Sequence, residues 1–235
     1  MFSFLNAGIV SKLQIDLETG IINSGYNDAR IPGDSGTKFS LSEELKTDDD
    51  FYYRVRLNYR LSEKSTISVL YAPLQLEAKG KLDKEVIFRN KTFAANTPLT
   101  ADYKFNSYRL TYRYRFFNKE KWQLGFGITG KIRDANIGLK DANQSSSKDN
   151  VGFVPLINFR FAYSFNPKFG FLFMGDALAA PQGRAEDVLT AFTYNMNNNI
   201  TAKLGYRLLE GGADNDEVYT FSCFNYLSLG LVWKF

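Results

Sequence analysis

Histidine is absent from this chain of 235 residues, and cysteine occurs once, at Cys223. A lone thiol excludes an intrachain disulfide and a cysteine-based zinc site. Without imidazole, the side chain best suited to proton transfer at neutral pH is missing. Long hydrophobic runs are missing too. FGFLFMG is among the longest, far short of the ~18–20 residues of a transmembrane helix. The first residues, MFSFLNAGIVSK, have no basic leader, are interrupted at Asn6 and show no A-x-A cleavage pattern. They do not read as a signal peptide, so an exported chain is expected to be a mature form with an added methionine.

Disorder is excluded by 44% hydrophobic and 23% charged residues with a mean hydropathy of −0.28. The length suits one large all-β domain or two small ones. Aromatic residues are abundant, at 16%, with 21 Phe and 14 Tyr. They fall in a repeated two-residue alternation, the period of a strand with one apolar face. FYYRVRLNYRL sets Val55, Leu57 and Tyr59 against Arg54, Arg56, Asn58 and Arg60. SYRLTYRYRFF sets Tyr108, Leu110, Tyr112, Tyr114 and Phe116 against Arg109, Thr111, Arg113 and Arg115. LQIDLETGI, TISVLYAPLQLEA, WQLGFGITGKIRDANIGL, VGFVPLINFRFAYSF, FGFLFMGDALA, ITAKLGYRLLE and VYTFSCFNYLSLGLVWKF repeat the pattern, with a bulge expected at Pro73. DVLTAFTYNM is the weakest strand, because AEDVLTAF also fits one or two helical turns.

Connections sort by length. Residues 24–50, 79–102, 140–150, 180–186 and 210–217 are longer, polar segments, whereas SEK, NKEK, NPK and NMNNN are tight turns. Long strands with short turns at one end and longer loops at the other fit a single closed antiparallel transmembrane β-barrel. The expected number is ten strands, with eight or twelve as alternatives, and residues 1–12 form a periplasmic segment.

The polar face then lines the lumen. It carries Arg54, Arg56, Arg60, Arg109, Arg113, Arg115, Lys131, Arg133, Arg160, Lys203, Arg207 and Lys234, against Asp16, Glu18, Asp176 and Asp187. Twelve bases minus four acids leaves +8 inside a chain of net charge +4, so the remainder, concentrated in the loops, carries about −4. A ten-stranded bore is narrow and side chains fill much of it, so a plugged barrel or a tight anion-preferring pore is expected.

The chain ends in LSLGLVWKF, with Leu227, Leu229, Leu231, Trp233 and Phe235 alternating. This segment resembles the carboxy-terminal signature of Gram-negative outer-membrane β-barrel proteins. The resemblance covers the whole chain as architecture. It implies a bacterial outer-membrane location, contact with lipid and lipopolysaccharide, and reading of the last strand by the barrel-assembly machinery. The missing signal peptide leaves a mitochondrial or plastid outer membrane as the alternative location.

GFGITG matches the dinucleotide pattern G-x-G-x-x-G, but it lies inside an alternating strand with no helix to follow. Ser40 and Glu43 have capping-box spacing, so a short surface helix is expected in SLSEELK. Asp176 and Asp187 are expected to pair with lumen arginines. Asp214, Asp216 and Glu217 gather hard oxygen ligands opposite an acidic first loop. They suit loosely held Ca²⁺ or Mg²⁺, and no other cofactor is expected. The familiar outer-membrane lipases, acyltransferases, deacylases and omptin proteases use histidine, so no enzyme is expected. Three function classes stand: a small-solute or anion-biased channel, a non-conducting barrel that presents loops or docks to another outer-membrane protein, and an enzyme without histidine chemistry. No nucleic-acid partner is expected.

Overall fold

The computed structural model describes residues 12–181 and 183–235; the expected 1–12 segment, apart from Lys12, lies outside the described residues. The strands are β1 (Leu13–Arg30), β2 (Phe39–Ser40), β3 (Leu45–Thr47), β4 (Asp50–Arg60), β5 (Ser65–Ala72), β6 (Gln75–Lys81), β7 (Val86–Phe88) and β8 (Lys91–Phe93). They continue with β9 (Pro98–Lys119), β10 (Trp122–Lys140), β11 (Ser145–Ser164), β12 (Phe169–Ala180), β13 (Gly183–Asn195), β14 (Ile200–Asp214) and β15 (Tyr219–Lys234). Each main strand pairs antiparallel with its sequence neighbour, and β15 returns to β1, from Gln14↔Lys234 to Arg30↔Tyr219. β5 and β6 are one strand interrupted at Pro73 and Leu74, since both pair with β9. Counting them once, ten strands close the ring. Closure gives every barrel strand two neighbours, and pairing lapses along the upper part of β11, before Ile157, where β12 is no longer its partner.

The alternation determines what each side chain meets. Odd residues of β4 and even residues of β9 point outward; Leu57, Leu110, Ile128, Phe153, Phe192 and Leu229 are all exposed around the belt. Aromatic rings crowd its turn end, where Trp122 packs 4.3 Å from Tyr163, Phe169 5.1 Å from Tyr194, and Trp233 4.8 Å from Phe235. Tyr71 stacks on Tyr108 at 5.2 Å towards the other end. Amphipathic rings at both edges of an apolar band are suited to the two boundaries of a bilayer. The opposite face buries Glu18, Arg54, Arg109, Asp176, Asp187 and Arg207.

The long-loop end departs from expectation in three ways. Strands β1, β9, β11, β13 and β14 run into the segments read as loops, because their extended pairing continues above the apolar belt. AEDVLTAF, the weakest of the expected strands, is indeed strand, held in the β12–β13–β14 ladder. The helix expected in SLSEELK is a turn at 41–44. Ser40 Oγ accepts the Glu43 N–H at 3.2 Å and Glu44 returns a carboxylate to the Ser40 N–H at 2.7 Å. The capping exchange is therefore made, but Leu45 is already drawn into β3 and packed in the core. Finally, the first two loops are not merely polar. Phe39, Leu41, Leu45, Val86, Phe88 and Phe93 are fully buried, folded inward over Ile22, Leu76, Tyr103, Ile137 and Phe224 of the barrel wall. They form an apolar cap over one side of the lumen.

Candidate functional site

The lumen is divided into three levels. At mid-height an ion-pair network crosses it. Asp187 accepts from Arg54 at 2.6 Å, from Arg109 at 2.6 Å and from Arg207. Arg109 also donates to Asp176 at 2.7 Å, and the other Asp176 oxygen accepts from Thr129 and Asn158, each at 2.7 Å. Arg207 forks onto Glu18 at 2.6 and 2.9 Å. Lys203 bridges Asp16 at 2.6 Å and Glu18 at 3.6 Å. Four acids from β1, β12 and β13 thus meet four bases from β4, β9 and β14. Away from water, such charges are tolerable only when paired and hydrogen-bonded, and here they are.

Above the network lies a vestibule of about 880 Å³. Phe105, Ile137, Val154, Leu178, Leu209 and Phe224 make much of its wall apolar. Lys131 and Arg133 bring buried or half-buried positive charge to it. Glu210, Asp216 and Glu217 also line it, Glu210 paired with Arg184 and Glu217 with Lys148. Lys131 is 3% exposed and its ammonium lies 5.1 Å from the centre of the Phe105 ring, with no carboxylate partner among the described residues. Arg133 donates to Asn150, while its Nε has no partner. The wall is also incomplete. The β11–β12 ladder stops at Ile157↔Ala177, although β12 continues through Leu178, Ala179 and Ala180. Pro155, which has no N–H to donate, stands on the unpaired edge of β11. Outward-facing Phe153 and Pro155 line the vestibule together with inward-facing Val154, so the cavity reaches through this notch.

Below the network is a smaller cup of about 160 Å³ between the tight turns. Arg56, Arg60, Arg113, Arg115 and Arg160 line it. Arg160 donates to Gln123 at 3.3 Å, and Arg115 to the Glu63 carbonyl.

No protein-family model and no curated protein matches the sequence. The outer membrane protease OmpT from Escherichia coli has a similar fold, with a TM-score of 0.57 and 11% identity, covering 100% of this chain and 99% of that one. That likeness shows the fold, a closed antiparallel β-barrel. Weaker likenesses include the COG4313 outer membrane channel from Pseudomonas putida F1, with a TM-score of 0.47 and 10% identity over 100% of both chains. Another is Ail of Yersinia pestis, with a TM-score of 0.41 and 10% identity over 95% of this chain and 99% of that one.

The barrel distributes the residues singled out from sequence among different levels. Arg54, Arg109, Lys203, Arg207, Asp16, Glu18, Asp176 and Asp187 form the mid-height network. Lys131 and Arg133 face the vestibule, and Arg56, Arg60, Arg113, Arg115 and Arg160 face the cup. Leu227, Leu229, Leu231, Trp233 and Phe235 lie on the outer face of the closing strand, and the Phe235 N–H bonds to the Leu13 carbonyl at 3.0 Å. The first and last loops meet, the Gly33 N–H donating to the Asp216 carbonyl at 2.9 Å. Their acids do not gather: Asp214 faces Arg30 at 4.0 Å and Glu217 faces Lys148 at 3.2 Å. Among the described residues no three potential ligands form a metal-holding group. Beside them, Lys38 pairs with Asp28 at 2.9 Å, and that hydrogen bond holds its ammonium above the usual lysine range. GFGITG lies within β10, where a Cβ on Gly127 would stand 2.0 Å from the Tyr112 carbonyl oxygen. Those glycines serve close strand approach. The vestibule and its notch were missed from sequence; Pro155 within an alternating strand was the available signal.

Proposed function

We propose that the barrel does not conduct and that its vestibule binds amphipathic anions which reach it sideways from the outer leaflet. The observation that carries this reading is a cavity shut below by the paired network and open at the β11–β12 notch. Its apolar walls suit an alkyl or aromatic body. The Lys131 ammonium, lacking a carboxylate partner, suits an anionic head, with Arg133 beside it. A channel reading is less well supported, because solutes would have to break several buried ion pairs to pass. Catalysis is not proposed: Asp176 and Asp187, the remaining carboxylate pair, both accept from Arg109, so neither is free to take a proton.

The test is titration of the nanodisc-embedded barrel with a fluorescent anionic alkyl amphiphile and a neutral analogue of the same chain. Saturable binding of the anion is expected. Lys131→Gln is expected to weaken it about tenfold, the value of one charge-assisted contact, and to leave the neutral analogue unaffected. Equal affinity of wild type and variant for the anion contradicts the reading.

A further inference from the structure

The turn-side cup has a charge imbalance that the mid-height network does not. In the central network every carboxylate faces a cation. In the cup, Arg56, Arg113 and Arg160 face one another with no carboxylate within ion-pair distance among the described residues. Asp16, the one lumen acid bordering the cup, is taken by Lys203 at 2.6 Å. Glu63 offers Arg115 its backbone carbonyl. Residues 1–11 contain neither Asp nor Glu, so their side chains bring no counter-charge.

Two guanidinium nitrogens carry the point further. Arg56 Nη1 and Arg113 Nη1 are both buried and have no hydrogen-bond partner. Arg56 is 7% exposed. A buried donor without a partner is costly, and a buried cation without a counter-charge more so. Natural proteins rarely keep several of both in one place unless something else fills the gap. The backbone makes room for it. Gly125 on β10 lies between Arg115 of β9 and Arg160 of β11 in the ladder. A Cβ there would come within 3.3 Å of the Arg113 side chain, so glycine keeps the space between the arginines clear.

We propose that this cup is a binding site for a small tetrahedral oxyanion of the phosphate type, entering from the periplasmic end. Guanidinium groups present paired N–H donors at the spacing of phosphate oxygens, and several converging on one point favour a doubly charged anion over chloride. The cup's volume, about 160 Å³, accommodates one such ion and not a chain-like ligand. Access is from the tight-turn side, where Lys64 and Arg60 border the mouth, because the ion-pair network closes the opposite side. The ion supplies the charge that the lumen's own acids do not. The site is independent of the vestibule and stands whether or not amphiphiles bind there.

Calorimetric titration of the purified barrel in non-ionic detergent with inorganic phosphate, against chloride at equal ionic strength, tests this. Saturable one-to-one binding is expected with phosphate, with sulfate competing and chloride inert. Arg113→Gln and Arg56→Gln are each expected to weaken phosphate about tenfold or more, while Lys79→Gln on the outer surface leaves it unchanged. In phosphate-free buffer Arg113→Gln is expected to melt no lower than wild type, because it removes an unmatched charge rather than a bond. A purely structural arginine would lower it. Wild-type heats that do not saturate, or that chloride reproduces, overturn the proposal even if every variant misfolds. Unchanged phosphate affinity in both folded variants overturns it as well.

Discussion

At the scale of single residues, the lumen network centres on Asp187. It accepts from three guanidinium groups and is 2% exposed. Asp187→Ala therefore strands three buried cations and is expected to cost about 3–5 kcal/mol in urea unfolding in detergent. Arg184→Ala, which breaks the Arg184–Glu210 pair on the outer rim, is expected to cost about 1 kcal/mol or less, as its side chain is 48% exposed. Equal losses would mean the lumen network contributes no more than a surface pair. Which residues face the lumen was legible, because a strict two-residue period assigns a face to every position of a strand. Which charges meet was not. Glu18 and Arg207 are 189 residues apart, and their contact depends on how the closed ring places β1 and β14 in register. The same blindness hid the difference between satisfied arginines such as Arg54 and unsatisfied ones such as Arg113, since both occupy identical alternating patterns.

Among the elements, the strands were legible and the long loops were not. Strand alternation is enforced locally by the pleat, so it shows in sequence without knowledge of partners. The cap over the lumen has no such period: Phe39, Leu41 and Leu45 meet Val86, Phe88 and Phe93 only after β1, β6 and β9 bring the two loops together. Ser40 shows how a local signal is overridden. Its hydroxyl caps the following turn as the spacing suggested, yet pairing of Leu45 with Gly80 stops a helix from forming. Phe88, fully buried and edge-on to Phe39 at 6.0 Å, is the cap's most informative position. Phe88→Ala is expected to weaken the cap by about 3–5 kcal/mol. Cleavage by trypsin at Lys84 or Lys91 should then accelerate while the ten-stranded barrel stays intact on a gel. Unchanged cleavage would show that the loops are held by something other than this apolar packing.

For the whole molecule, charge is arranged in layers along the barrel axis. A vestibule with cations in apolar walls lies at the long-loop end, a balanced network in the middle, and a cup with surplus arginine at the turn end. The surplus of bases read from sequence suggested an anion pathway, but the structure divides that surplus between two cavities with a closed layer between them. The proposed function depends on this layer being closed, which makes the lumen a receptacle entered from the side and not a conduit. Single-channel recording of the purified barrel in planar bilayers tests it most directly. Insertion without discrete conductance steps under an applied voltage is expected, with steps appearing when Arg109 and Asp187 are both replaced by Ala. Regular anion-selective steps from the wild-type protein would contradict it.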